Sequence, residues 1–162
     1  MHYINYTWDE LNKHSYELCF QIMKSEFKPD HIIAISRGGN VLGSIISYKM
    51  DIPLTVYDPK RQKLADFKYI DYLNDTILFV DDINDSGETI EQFRIAVITT
   101  RKGYYGEGWK DIFSLDNIRF LTLFNNLNSK STVDYSIIEI NKAETPDIWI
   151  NFPWEFTSGG YL

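Results

Sequence analysis

Residues 77–90, ILFVDDINDSGETI, constrain this chain more than any other stretch. Four apolar residues in succession suit a strand buried on both faces, as in a parallel sheet. The acids, serine and glycine that follow suit a tight turn that opens a helix with free N–H groups. In a doubly wound sheet ligands bind beyond the carboxyl ends of the strands, so Asp81 and Asp82 belong at the mouth of a site. Carboxylates there meet sugar hydroxyls and a hard cation. Mg2+ suits them, because it takes oxygen ligands and is usually shared between one or two carboxylates and a substrate phosphate. Gly87 permits close backbone approach, Ser86 and Thr89 offer hydroxyls, and the turn over 85–89 makes an anion-binding concavity. The stretch predicts a site for a sugar phosphate and a divalent metal.

The flanking sequence predicts an α/β chain. Thr7-Trp8-Asp9-Glu10 reads as a capping box that starts a helix running to about Ser25. Residues 32–35 form a short apolar strand, 36–39 (Ser-Arg-Gly-Gly) the loop after it, about 41–50 a helix closed by Pro53, and 54–57 a second strand. Strand, loop, helix, strand indicates a parallel sheet flanked by helices. The helix after Thr89 is expected to reach about Thr99 with Ile90, Phe93 and Val97 on one face, followed by strands near 118–124 and 135–140. All 162 residues read as one domain.

Two segments interrupt this pattern. Residues 58–75 are polar and hold Lys60, Arg61, Lys63 and Lys68, as suits a solvated excursion or a lid carrying cations. Residues 101–117 bring Tyr104, Tyr105, Trp109 and Phe113 among three glycines, an ordered excursion suited to packing or a subunit contact.

Charge and composition remove several function classes. A net charge of −7 argues against a nucleic-acid groove, which needs a basic face. The N-terminus lacks a basic stretch followed by an apolar one, and no run approaches membrane-span length, so a cytosolic protein is expected. The single cysteine, Cys19, falls at helical spacing among apolar residues as a buried structural thiol. His2, His14 and His31 lack zinc-ligand spacing. A phosphoacceptor domain would spread its acids over two strands rather than one loop, and no P-loop signature occurs.

VDDINDSGET resembles the phosphoribosyl-pyrophosphate (PRPP) motif of the type I phosphoribosyltransferases: two acids, a third acid three residues on, then Ser or Thr, Gly, any residue and Thr. Thr7-Trp8-Asp9, IIAISRGG at 32–39, this motif, and DIWINFPWE at 147–155 follow the order and approximate spacing of the bacterial xanthine-guanine branch of that family. The resemblance implies a type I core with a small hood built from the N- and C-terminal segments (about 141–162 at the C-terminus) and a flexible loop at 58–75. The activity implied is transfer of phosphoribose from PRPP to a purine base, guanine, xanthine or hypoxanthine, with Mg2+ as cofactor. A homo-oligomer is expected.

Site residues follow from the matching positions. Arg37 and Gly38 would hold pyrophosphate in a loop with a non-proline cis peptide. Asp81 and Asp82 would hold the ribose hydroxyls, with Asp82 the metal ligand. Asp85, Ser86, Gly87, Glu88 and Thr89 would cradle the 5'-phosphate, and Asp85 would also serve as catalytic proton acceptor near N7 of the base. Trp149 would stack on the base and the main chain around Ile150 would read its edge, whereas Phe152 and Trp154 read as core cover. Where the family carries a lysine that contacts the purine 6-oxo group, this chain has Asn126. An amide that can turn to donate or accept does not itself demand an oxo group. Lys130 lies in the same loop with nothing in the sequence to show that it reaches the base. The competing readings are a non-catalytic sensor of PRPP or a nucleotide on the same fold, and a transferase for a different base.

Overall fold

The structure is a computed structural model and describes residues 2–108 and 112–155. The chain runs β1 (His2–Asn5), α1 (Trp8–Lys24), β2 (His31–Ile35), α2 (Gly38–Met50), β3 (Leu54–Tyr57), a 3-10 turn (Leu64–Asp66), β4 (Ile77–Val80), β5 (Ile83–Asn84), α3 (Glu88–Tyr105), β6 (Ile118–Leu121), β7 (Phe124–Asn126), β8 (Ile138–Ile140) and β9 (Ile148–Asn151). Four strands form a central sheet in the order β3-β2-β4-β6, and all its pairings are parallel. This is the α/β fold with a parallel sheet that the sequence predicts.

The apolar run of β4 explains the layering. Its four residues are fully buried and lie between β2 and β6, with Ile77 opposite both His31 and Ile118. Side chains alternate across a strand. Leu78 and Val80 therefore join one core with Leu18, Ile22, Leu42 and Ile46 of α1 and α2, while Ile77 and Phe79 join the other with Phe93 and Val97 of α3. A strand sandwiched between helices has no polar face, which is why the run is continuous.

Local signals act as expected at α1. The Thr7 hydroxyl accepts from the Glu10 N–H at 3.2 Å, and Glu10 accepts from the Thr7 N–H at 2.8 Å, closing the capping box. Cys19 is buried and free. The chain ends meet, because β1 pairs in parallel with β9 and sets Tyr3 opposite Trp149. Among the described residues, no helix is long and apolar enough to cross a membrane.

Several boundaries differ from the sequence reading. Helix α2 begins at Gly38, three residues early, and α3 runs on to Tyr105. The apolar stretch 118–124 is two strands in different sheets. β6 stays beside β4, whereas β7 pairs with β5 and β8 in a second parallel sheet. The switch falls at Thr122-Leu123, where the buried Thr122 hydroxyl donates to the Phe124 carbonyl at 2.9 Å. On the neighbouring strand the same switch falls between β4 and β5, at Asp81-Asp82.

Residues 58–75 are polar in composition, yet their apolar minority, Leu64, Ile70 and Tyr72, is buried in the core on the α3 side. Arg101 anchors them. Its guanidinium, fully buried, donates to the Tyr72 carbonyl at 2.8 and 2.6 Å, to the Ile112 carbonyl at 3.1 Å, to Asn117 Oδ1 at 2.8 Å, and to the Ser114 carbonyl. The two excursions are thus tied together by one side chain with its donors spent on oxygen acceptors. Tyr104 and Tyr105 add bonds to Ala65 and Asp71. These aromatics pack against the chain itself, and Trp109 lies outside the described residues. Arg101→Met keeps the aliphatic bulk but strands several buried carbonyls, so urea unfolding is expected to show a loss of at least about 3 kcal/mol. A change under about 1 kcal/mol would mean that Arg101 does not hold these segments.

Candidate active site

The N-terminal turn of α2 rests directly on the end of β4. A Cβ on Gly39 would lie 2.3 Å from the Val80 carbonyl oxygen and 3.0 Å from Asp81 Cα, and one on Gly38 would lie 2.2 Å from Asp82 Oδ2. At Gly39 the obstacle is backbone and a Cβ has no room, whereas at Gly38 the Asp82 carboxylate would have to move aside. The contact joins two motifs more than forty residues apart, so the Ser36-Arg37-Gly38 loop lies directly beside the acidic loop, although residues 36–39 do not line the cavity described below. The Ser36–Arg37 peptide is cis, and Arg37 is exposed beside it.

The acid pair is buried at this junction. Asp81 is 8% exposed and accepts from the Asp82 N–H at 2.9 Å. Burial raises the Asp81 carboxyl well above the usual carboxylate range, and the charge of Asp82 adds to the rise against the pull of main-chain N–H groups at Asp82 and Gly39. Burial likewise pushes Asp82 up to about 6, with Glu155 of the C-terminal segment adding to the rise, while a hydrogen bond from Asp81 and another from the Ile83 N–H oppose it. Both shifts mark carboxylates short of a counter-charge. Hydroxyls and a hard cation supply what the pair lacks, and the oxygen donors fit Mg2+. Among the described residues no group of three or more His, Cys, Asp or Glu is arranged to hold a metal alone. A cation here would complete its shell with water and substrate oxygens.

Beyond the pair, residues 81–90 and Thr122 line a cavity of about 240 Å3. Gly87 begins α3 with φ 86°, a left-handed conformation that a side chain disfavours, and a Cβ there would stand 2.7 Å from Ser129 Oγ and from the Ser131 nitrogen. The turn is held open by Ser86, whose hydroxyl accepts from the Glu88 N–H at 3.3 Å. Residues 87–90 at the start of α3 line this hollow, which brings the positive end of the helix dipole to it. Lys130 approaches from the β7–β8 connection, 3.8 Å from Glu88. A larger hollow of about 1080 Å3 between α1 and α2 is walled mainly by exposed aromatic and aliphatic side chains such as Trp8, Tyr16, Phe20 and Met23. The smaller cavity has the chemistry, because there the carboxylates, hydroxyls and helix terminus converge.

Asp85 closes the loop on its outer side. Its Oδ2 is 2.7 Å from Lys142 Nζ, a lysine just after β8 that sequence reasoning passed over. Asn126 binds the same acid: its amide nitrogen donates to the Asp85 carbonyl at 3.0 Å and to Oδ1 at 3.4 Å. Its amide oxygen accepts from the Asn128 and Lys142 N–H groups, each at 3.2 Å. The sequence reading gave Asn126 an amide free to turn. Here the residue is 6% exposed and four contacts set its orientation. No local signal marks Lys142, since its partner lies 57 residues away. Trp149 is 56% exposed on β9 and Ile150 is buried in the core, and neither lines the cavity.

A parallel α/β sheet with an acid-rich strand end, a helix N-terminus beside it and a glycine loop packed on both is the arrangement in which α/β proteins bind ligands beyond the carboxyl ends of their strands. The sequence matches the phosphoribosyl transferase domain over residues 7–158, and the chain belongs to that family. It is 29% identical over 160 residues to a xanthine-guanine phosphoribosyltransferase of Desulfotalea psychrophila, covering 94% of this chain and 86% of that one. A protein of the same name from Chromohalobacter salexigens is 28% identical over 156 residues, with 92% and 82% covered. In structure, the chain resembles a purine phosphoribosyltransferase of Pyrococcus horikoshii, with a TM-score of 0.73, 24% identity, and 100% and 99% of the two chains covered.

The buried charge predicts a pH signature. The folded Asp82 value of about 6 exceeds the usual unfolded value near 3.9. The folded state therefore binds more protons between about pH 4 and 6, and stability falls as pH rises through that window. A shift of this size amounts to roughly 2–3 kcal/mol above it. In calorimetric melts Asp82→Asn is expected to raise Tm at pH 7.5 and to leave it nearly unchanged near pH 4; equal shifts at both would exclude the carboxylate charge as the cause.

Proposed function

We propose that this chain is a Mg2+-dependent purine phosphoribosyltransferase, converting PRPP and a purine base into a nucleoside 5'-monophosphate and pyrophosphate. The observation that carries the reading is how the two loops meet. The 36–38 loop packs on Asp82 through Gly38, and Asp81, Asp82 and the 85–89 turn line one hollow beside it, which supports binding of pyrophosphate at the first, ribose at the acids and the 5'-phosphate at the turn. The names of the relatives support a purine as the acceptor.

Roles follow from position. Arg37 and the Gly38 backbone would bind the leaving pyrophosphate, and Asp81 and Asp82 the ribose hydroxyls. Ser86, Gly87, Glu88 and Thr89 would hold the 5'-phosphate through backbone N–H groups and hydroxyls. Mg2+, held at Asp82 and shared with substrate oxygens, would neutralise charge between the acids and pyrophosphate. Cleavage of the C1–pyrophosphate bond ahead of attack leaves positive charge on the ribose, which the adjacent carboxylates stabilise while the site keeps the base in line. Asp85 would take the proton that the base releases at N7. Trp149, exposed on β9, would supply a stacking face with the Ile150 main chain beside it, and Asn126 would act by holding Asp85. A cytosolic homo-oligomer remains part of this reading.

Pyrophosphate release from PRPP in the presence of Mg2+ and a panel of purines tests the proposal. Turnover is expected with at least one purine and none is expected with EDTA. Asp85→Asn, which keeps volume but loses the proton acceptor, is expected to lower kcat by about 10²- to 10⁴-fold with PRPP affinity retained. Tight PRPP binding without turnover on any base would favour the sensor reading, and turnover only on non-purine rings would favour the third. A near-normal rate in Asp85→Asn would remove Asp85 from the chemistry.

A further inference from the structure

Helix α1 is apolar on two faces. Leu11, Leu18 and Ile22 are buried in the core, as an amphipathic helix requires, yet Trp8, Tyr16, Phe20 and Met23 recur at helical spacing on the outward side, each more than half exposed. A helix that is apolar all round is normally a buried one. Tyr48 of α2, 90% exposed, extends the stripe across the large hollow between the two helices, which Leu11 and Ile45 also line. At about 200 Å2 for each large side chain, these five leave roughly 600 Å2 in water. That is the upper end of what a monomer carries, about 300–600 Å2, and with the flanking residues it nears the share of about 800 Å2 that each partner gives to a stable dimer.

The charges around the stripe decide what covers it. Lys13, Lys24 and Lys49 stand among Asp9, Glu10 and Glu17, with Lys13 3.8 Å from Glu17, Lys49 Nζ 3.2 Å from the centre of the Tyr16 ring and Lys24 Nζ 4.7 Å from that of Phe20. The face is therefore locally neutral in a chain of net charge −7. Nucleic acid or an anionic membrane needs a basic excess that is missing here. A second copy needs only opposite signs within reach on both sides, and the face carries both. We propose that the outward face of α1 and α2 is a two-fold interface between two copies of this chain. In such a pairing the same patch serves both partners. Phe20 stands mid-stripe, with Tyr16 and Met23 one turn away on either side, and lies nearest the axis. None of these residues lines the cavity beside Asp81 and Asp82, so the pairing holds whether or not the chain is a transferase.

Sedimentation equilibrium of the full chain tests the pairing, with far-UV circular dichroism to confirm that each variant is folded. Wild type at micromolar concentration is expected to give at least twice the mass of one chain. A substitution at a two-fold interface acts on both partners, so Phe20→Lys is expected to raise the dissociation constant at least about 100-fold and Tyr48→Lys at least about tenfold. Ile95→Lys, at a similarly exposed apolar position on α3, is expected to leave the mass unchanged. Folded Phe20→Lys and Tyr48→Lys variants that associate as wild type does would place the contact elsewhere and overturn the proposal, as would an equal loss in Ile95→Lys. If Phe20→Lys does not fold, Tyr48→Lys decides, because that side chain stands almost wholly in solvent. A monomeric wild type overturns the proposal outright, and a monomer that co-sediments with phosphatidylglycerol vesicles would give the face to a membrane instead. Turnover of PRPP enters none of these outcomes, so a failure here leaves the transferase reading intact.

Discussion

Everything at the site depends on how closely α2 approaches the end of β4. Gly39 sits against the Val80 carbonyl at a distance that leaves no room for a Cβ, and Gly38 lies against the Asp82 carboxylate. Without that approach the loop at 36–38 and the acidic loop would be pushed apart. The contact is steric, so its consequence is all or none. A flexible side chain can yield to an intruding methyl, whereas the Val80 carbonyl belongs to a strand hydrogen-bonded on both sides.

The same approach buries two adjacent carboxylates and thereby sets the electrostatics. A folded domain seldom retains such a pair without a partner, because both acids resist ionisation in a poorly solvated position. Their raised pKa values express a debt of charge that a cation and hydroxyl-bearing ligand would settle. Perturbed acids gathered at a strand end beside a helix terminus are characteristic of sites rather than scaffolds. The overall charge of −7 deepens the requirement, since a polyanionic ligand must be attracted locally against the global field. Lys130 and Lys142 are cations paired with acids of the loop, at Glu88 and Asp85.

Two buried polar side chains organise what surrounds the acids. Arg101 gathers carbonyls from the two excursions of the chain and ties them together beside α3. Asn126 does the equivalent work on the opposite flank, linking the acidic loop to the segment that follows β8. Both use several hydrogen bonds from one rigid planar group, which fixes relative position better than apolar packing of the same area. Each is polar at a place where composition alone would suggest solvent.

How much of this was legible in sequence follows from the range of the interactions involved. The Thr7–Glu10 capping box, the four-residue apolar run of β4 and the start of α3 are decided by residues within a few positions of one another, and reading the chain in order recovers them. The order of acids, serine, glycine and threonine at 81–89 likewise carries the family resemblance, because a turn with free backbone N–H groups needs its residues in series. The break of 118–124 into two strands, the packing of Tyr72 onto Arg101, the orientation of the Asn126 amide and the aim of Lys142 at Asp85 are all decided by partners tens of residues away. Residue type is silent on such pairings: an asparagine or lysine in a polar segment reads the same whether it faces solvent or a carboxylate. Sequence by itself determined the chemistry available at the strand end. Only the tertiary structure decided which distant glycine, asparagine and lysine would be close enough to shape it, because that proximity is a property of how the two sheets and α2 pack rather than of any local pattern.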